Sequence, residues 1–190
     1  MQFNRHPNLE GLHAPFSPSQ SYWLRYDDEK TMSVYLNQKA KDRGTRLHAW
    51  AKETIDLGIK QPRSEKTLYQ YVNDAIGFKM STEVVLYYSD VIFGTADAIC
   101  FRKGRNGRYI LRIHDLKTGV TKVDMKQLEI YAALFCLEYK FNPRDIDFEL
   151  RIYQNDEVVY HIPEPEVIDA IMQHIIHTTN ICEKIDNEEA

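Results

Sequence analysis

The sequence predicts an α/β fold of mixed α+β character, a central mixed β-sheet flanked by helices, and three observations carry that prediction. Helical periodicity occupies both ends of the chain, β-rich runs fill its middle, and one amphipathic helix interrupts those runs. With 190 residues, 43% hydrophobic and 27% charged, the chain has the size and composition of a single domain that buries a core. Residues 1–30 read as an N-terminal extension of that domain and 164–190 as its C-terminal helix.

Taken in order, Pro7, Pro15 and Pro18 punctuate a loop that enters a short aromatic helix around Tyr22, Trp23, Leu24 and Tyr26. Helical composition then runs from Thr31 to Leu57, with Gly58 as its stop. A second helix is expected from Ser64, whose SEKT start can cap it. Leu68, Tyr71, Val72, Ala75 and Ile76 supply its apolar stripe. Thr82–Tyr88, Val91–Phe101 and Tyr109–Lys117 read as strands, the last two joined through Asn106–Gly107, a strong hairpin signal. Asp124–Tyr139 is an amphipathic helix, Ile146–Tyr153 and Glu157–Ile162 a second hairpin, and Glu164 to Ile185 the terminal helix.

Several function classes drop out. No run approaches the ~20 apolar residues of a membrane span, and the first residues show no secretory h-region. Cys100, Cys136 and Cys182 are far apart and contain no CxxC, which excludes a disulfide framework and a four-cysteine cluster and suits a reducing cytoplasm. The net charge of −4 is unevenly spread. Residues 39–126 hold 17 Lys+Arg against 10 Asp+Glu, whereas the flanks hold 7 against 18. A basic middle is where a polyanion would lie; chance clustering on a solvated surface is the plainer reading.

The chemistry concentrates on the first hairpin. Asp115 and Lys117, two apart on a strand, share a face. A turn centred on Asn106 sets Asp97 opposite Asp115; a strict two-residue turn leaves them one residue out of register unless a bulge intervenes. Two carboxylates converging inside apolar runs are costly unless a hard divalent cation neutralises them. The alternative is that both lie on a solvent face. Tyr22, Trp23 and Tyr26 either stack bases or pack the N-terminal helix. His174, His177 and Cys182 are better explained by a solvated helix face than by a metal, and Glu53 by an ordinary surface position.

These elements resemble the PD-(D/E)xK nuclease superfamily in its RecB-like and lambda-exonuclease-like branch. The resemblance rests on Ser17-Pro18-Ser19 with Trp23-Leu24, Gly44-Thr45-Arg46-Leu47-His48, Glu83, Gly94-Thr95-Ala96-Asp97, Asp115-Leu116-Lys117-Thr118-Gly119 and Gln127-x-x-x-Tyr131. It implies a restriction-endonuclease-like core and a Mg²⁺- or Mn²⁺-dependent deoxyribonuclease, an exonuclease first, acting in recombination, repair or replication. The alternatives are a structure-selective endonuclease and a non-catalytic nucleic-acid-binding protein.

By the same resemblance His48, Asp97, Asp115 and the Leu116 backbone carbonyl are metal ligands, with Glu83 as a further candidate. Lys117 acts on the attacking water and the developing phosphorane, and Gln127 and Tyr131 stand beside it. Ala96 departs from the family's proline, and the absent cysteines argue against an iron–sulfur cluster. DNA is the expected partner, with RNA second. A homo-oligomer or a recombination or replication protein is a further expected partner, no membrane is involved, and the compartment is a bacterial or phage-infected cytoplasm. Arg43 and Arg46 near His48, Arg102, Lys103, Arg105 and Arg108 at the hairpin tip, and Lys122 and Lys126 before Gln127 are expected to hold phosphates.

Overall fold

The computed structural model describes residues 5–9, 11–104, 107–119 and 124–189. The chain divides into two compact units, Met1–Arg46 and Leu47–Ala190, and helix α1 (Asp28–Asp56) contributes residues to both.

In the N-terminal unit the aromatic segment is a 3-10 turn, Ser21–Arg25. Trp23 packs edge-on against Phe16 and donates its indole N–H to the Ser17 carbonyl at 2.9 Å, so this ring serves packing. Helix α1 starts three residues earlier than its composition suggests. Asp27 Oδ1 accepts the Lys30 backbone N–H at 2.7 Å, and Asp28 and Glu29 place negative charge on the first turn.

The second unit is a five-stranded mixed sheet between helices. Its strands, β1 (Ser81–Ser89), β2 (Ile92–Lys103), β3 (Tyr109–Leu116), β4 (Ile146–Gln154) and β5 (Glu157–His161), lie side by side in chain order. All pairs are antiparallel except β3–β4, and that parallel step requires the crossover made by α3 (Lys126–Tyr139). Strand alternation feeds two cores. Ile99, Leu111, Ile113, Phe148 and Leu150 meet Leu128, Ala132 and Phe135 of α3 and Ile168 and Ile175 of α4 (Pro165–Glu189). On the other face Ala98, Cys100, Leu116 and Tyr153 meet Ala51 and Ile55 of α1 and Tyr71, Val72 and Ala75 of α2 (Thr67–Phe78). Both faces are therefore covered, as an α/β architecture demands.

One local expectation changes and one register is resolved. Ser64 does not open α2. The helix begins at Thr67, whose N–H is taken by Asp156 Oδ1 of the β4–β5 turn at 3.2 Å, while Ser64 Oγ accepts only the Lys66 N–H. The β2–β3 register runs from Lys103↔Tyr109 to Ala98↔His114 with no bulge, and its continuation sets Asp97 opposite Asp115. Gly107 turns the hairpin at φ +86°, a conformation costly for a side chain with Cβ; Asn106 lies outside the described residues. Among the described residues no helix is long and apolar enough to cross a membrane.

Candidate functional site

The meander β1–β2–β3 lines up three carboxylates. Glu83 lies between the Thr82↔Ala98 and Val84↔Ala96 pairs, so it faces Asp97, and Asp97 in turn faces Asp115. Glu83 holds φ at +50°, a left-handed conformation that costs a glutamate on the order of 1 kcal/mol, and it does so inside a strand. That turn of the backbone accompanies a cluster: one ligand atom each of His48, Glu83 and Asp97 lie within 4.8 Å of one another. His48 arrives from α1, with Nδ1 3.4 Å from Asp97 Oδ2. Asp115 is outside that threesome and is held by Lys117 instead.

Electrostatically the site is overcharged. Burial, followed by repulsion from Asp115, pushes the Asp97 carboxyl up to about 6. The Leu116 N–H, bonded to Asp97 Oδ2 at 2.9 Å, and the His48 and Lys117 charges only partly oppose this. Burial also raises Asp115, against the pull of Lys117. The Lys117 ammonium donates to Asp115 Oδ1 at 3.0 Å. Oδ2 lies equally near the ammonium but receives no directed hydrogen bond, and it is buried. A buried carboxylate oxygen that accepts no hydrogen bond, beside two further carboxylates and an imidazole, is a donor set that suits a hard divalent cation such as Mg²⁺ or Mn²⁺.

A chain of contacts fixes Lys117. Its Nζ also donates to Gln127 Oε1 at 2.9 Å, and Gln127 Nε2 donates to the Tyr131 hydroxyl at 3.2 Å. Tyr131 lies against β2 where Gly94 stands; a Cβ there would come within 2.9 Å of the ring. Gly94 is thus required by close approach of the helix to the sheet. Two further contacts escaped the sequence reading. Lys117 N–H donates to the Tyr153 carbonyl at 2.9 Å, and Gln154 Nε2 donates to the Gly119 carbonyl at 2.5 Å, so the end of β4 clamps the segment after β3. No short-range signal announces this, because it depends on the parallel β3–β4 pairing.

Among the described residues of the second unit, the basic residues of the hairpin tip are not gathered around the carboxylates. The hairpin tip begins at the C-terminal end of β2, six residues beyond Asp97 and so about 20 Å away at ~3.3 Å per residue. There Arg102 donates to the Lys79 carbonyl at 2.9 Å, and Arg108 bonds Asp147 and the Arg144 carbonyl, both at 2.7 Å. These two arginines fasten the fold, while Lys103 is exposed. Lys126 is paired with Glu129 at 2.5 Å. Arg105 and Lys122 lie outside the described residues, and Arg43 and Arg46 belong to the N-terminal unit.

Compared with models of known protein families, with curated proteins and with solved structures, the chain gives no match.

Proposed function

We propose that the protein is a metal-dependent DNA nuclease of the PD-(D/E)xK type, an exonuclease in the first instance. The observation that carries this reading is the row Glu83–Asp97–Asp115 across three strands, with His48 above it and Lys117 held at its end. His48, Glu83, Asp97 and Asp115 would hold the cation, which supplies an acidified water and charge neutralisation at a phosphate. Asp97 is oriented for that work by the Leu116 N–H. Lys117, fixed between Asp115 and Gln127, presents an ammonium whose charge opposes the negative charge that grows on a phosphate under attack. Tyr131 and Gly94 set the position of Gln127 and so of Lys117.

End-labelled linear DNA and closed circular DNA, incubated with Mg²⁺, Mn²⁺ or EDTA, test the reading. Linear DNA should be degraded with either cation and spared in EDTA, and circles should survive; nicked circles would favour the endonuclease. Asp97→Ala and Asp115→Ala should lose cleavage together with Mn²⁺ binding. Lys117→Ala should lose cleavage while Mn²⁺ still binds. Wild-type rates in all three variants would remove the site from the chemistry.

A further inference from the structure

We propose that the N-terminal unit carries its own binding groove for single-stranded nucleic acid, with phosphates on Lys39, Arg43 and Arg46 and a base against Tyr35. The proposal deepens the nuclease reading and rests on it for the choice of nucleic acid, adding the strand state of the ligand and a second place where it is held.

The groove has a volume of about 650 Å³ and lies wholly within residues 1–46. One wall is the apolar segment with Leu12 and Pro15; the other is a stripe of α1. Tyr35, Lys39, Asp42 and Arg46 recur at spacings of four, three and four residues, so they stand in line on one helix face, with Arg43 beside them. Among the described residues Lys39, Arg43 and Arg46 form no ion pair, and Asp42, the acid beside them, accepts from Gln38 at 2.9 Å. The polar cleft beside α2 differs here: the Asn73 side chain accepts the Gln61 backbone N–H at 2.8 Å and donates to the Gln61 carbonyl at 3.0 Å, and Gln61 Nε2 donates to the Ile59 carbonyl, so these amides hold their own loop.

Tyr35 supplies the second half of the argument. Tyr35 is 50% exposed, and the Lys39 ammonium stands over one face of its ring, 5.3 Å from the centroid, so a cation and an aromatic ring already lie together. Phosphate with an attached flat ring matches that pair. A base stacks on an aromatic side chain only when it is free of its duplex neighbours. The volume falls within the ~300–1,000 Å³ typical of sites for small ligands, which accommodates a nucleotide or two.

Fluorescence anisotropy on the full chain in EDTA, with fluorescein-labelled dT15 and a 15-base-pair duplex as probes, reads binding without turnover. The expected result is tighter binding of dT15 than of the duplex. Tyr35→Ala should weaken dT15 at least about fivefold, and Tyr35→Phe should restore it. The triple variant Lys39→Ala/Arg43→Ala/Arg46→Ala should flatten the salt dependence by about 2 in slope, at ~0.7 for each phosphate contact. All four positions are exposed, and far-UV circular dichroism checks that the variants fold. Wild-type binding of dT15 by both variants overturns the proposal. So does competition by duplex or polyglutamate as effective as that by dT15, which marks a general charged surface. Absence of cleavage with groove-dependent dT15 binding sinks the nuclease reading alone; cleavage with binding indifferent to these substitutions sinks the groove alone.

Discussion

His114 and Asp115 are neighbours on β3, 0% and 2% exposed, and the alternation of the strand sends them to opposite faces. On the His114 face the polar groups answer one another. Its Nδ1 lies 3.2 Å from the Tyr153 hydroxyl, which donates to Asp74 at 2.6 Å; Arg151 donates to the same carboxylate at 3.0 Å. Arg112 is bound by both oxygens of Glu149. The loose ends there, His114 Nε2 and Arg151 Nε, belong to a ring kept neutral and to a guanidinium already paired with Asp74. Around Asp115 one ammonium and one imidazole meet three carboxylates. Burial of an ionisable group is common to both clusters. What sets the second apart is that its charges are left unbalanced, as a cation site requires.

The largest expected effect separates the faces by pH. Burial, with the Arg151 and Arg112 charges, lowers His114 to about 3. The unfolded chain therefore binds a proton that the folded one refuses. Stability tied to His114 is present above pH 6.5 and is lost as pH falls towards 3, by about 4–5 kcal/mol in all. Asp97, raised to about 6, acts in the other sense: the folded chain keeps a proton longer, and stability falls as pH rises from about 4 to 6. Denaturant titrations of the metal-free protein across pH 3–8 should show His114→Phe flattening the acid side and Asp97→Asn the side above pH 4. The same change in both variants would dissolve the contrast.

Next in size is the response to a cation. At pH 7 Asp97→Asn should stabilise the metal-free protein by about 2–3 kcal/mol, because a neutral isostere removes the cost of ionising there. It should also lose the stabilisation by Mn²⁺ expected of the wild type, ~2.7 kcal/mol at a hundredfold excess over Kd. Asp74→Asn should do the reverse, costing about 1–3 kcal/mol through weakened bonds to Arg151 and Tyr153 and keeping the Mn²⁺ response. Differential scanning calorimetry with and without Mn²⁺ reads both.

The smallest effect lies in the backbone of Glu83. Glu83→Gly should relieve its left-handed strain, leave metal-free stability the same or about 1 kcal/mol higher, and weaken Mn²⁺ binding in calorimetric titration. A loss of stability would mean that the strain is not stored at this residue.

What the sequence disclosed followed the range of the interactions. The β2–β3 hairpin joins strands that follow each other directly, so centring it on residue 106 sufficed to place Asp97 opposite Asp115. The five strands and the helices were legible in the same way, from periodicity. Long-range bonds were not. The Asp156 cap of α2 comes from 89 residues along the chain, and Arg108 finds Asp147 only because β3 and β4 run parallel. Composition marked the hairpin tip as basic but could not say which way it pointed. The positive φ of Glu83 had no signal, since glutamate carries no preference for that conformation.

The meander that aligns Glu83, Asp97 and Asp115 also orders events in time. Its hairpins close between consecutive strands at small loop entropy, whereas the Asp74–Arg151 pair joins residues 77 apart and waits for β4 to dock. On this order carboxylate repulsion would be met on the climb to the folding barrier, and its relief by Mn²⁺ should speed folding. The Asp74 network would form beyond the barrier and should set how slowly the protein unfolds. Chevron plots with and without Mn²⁺, and for Asp74→Asn, should move opposite arms.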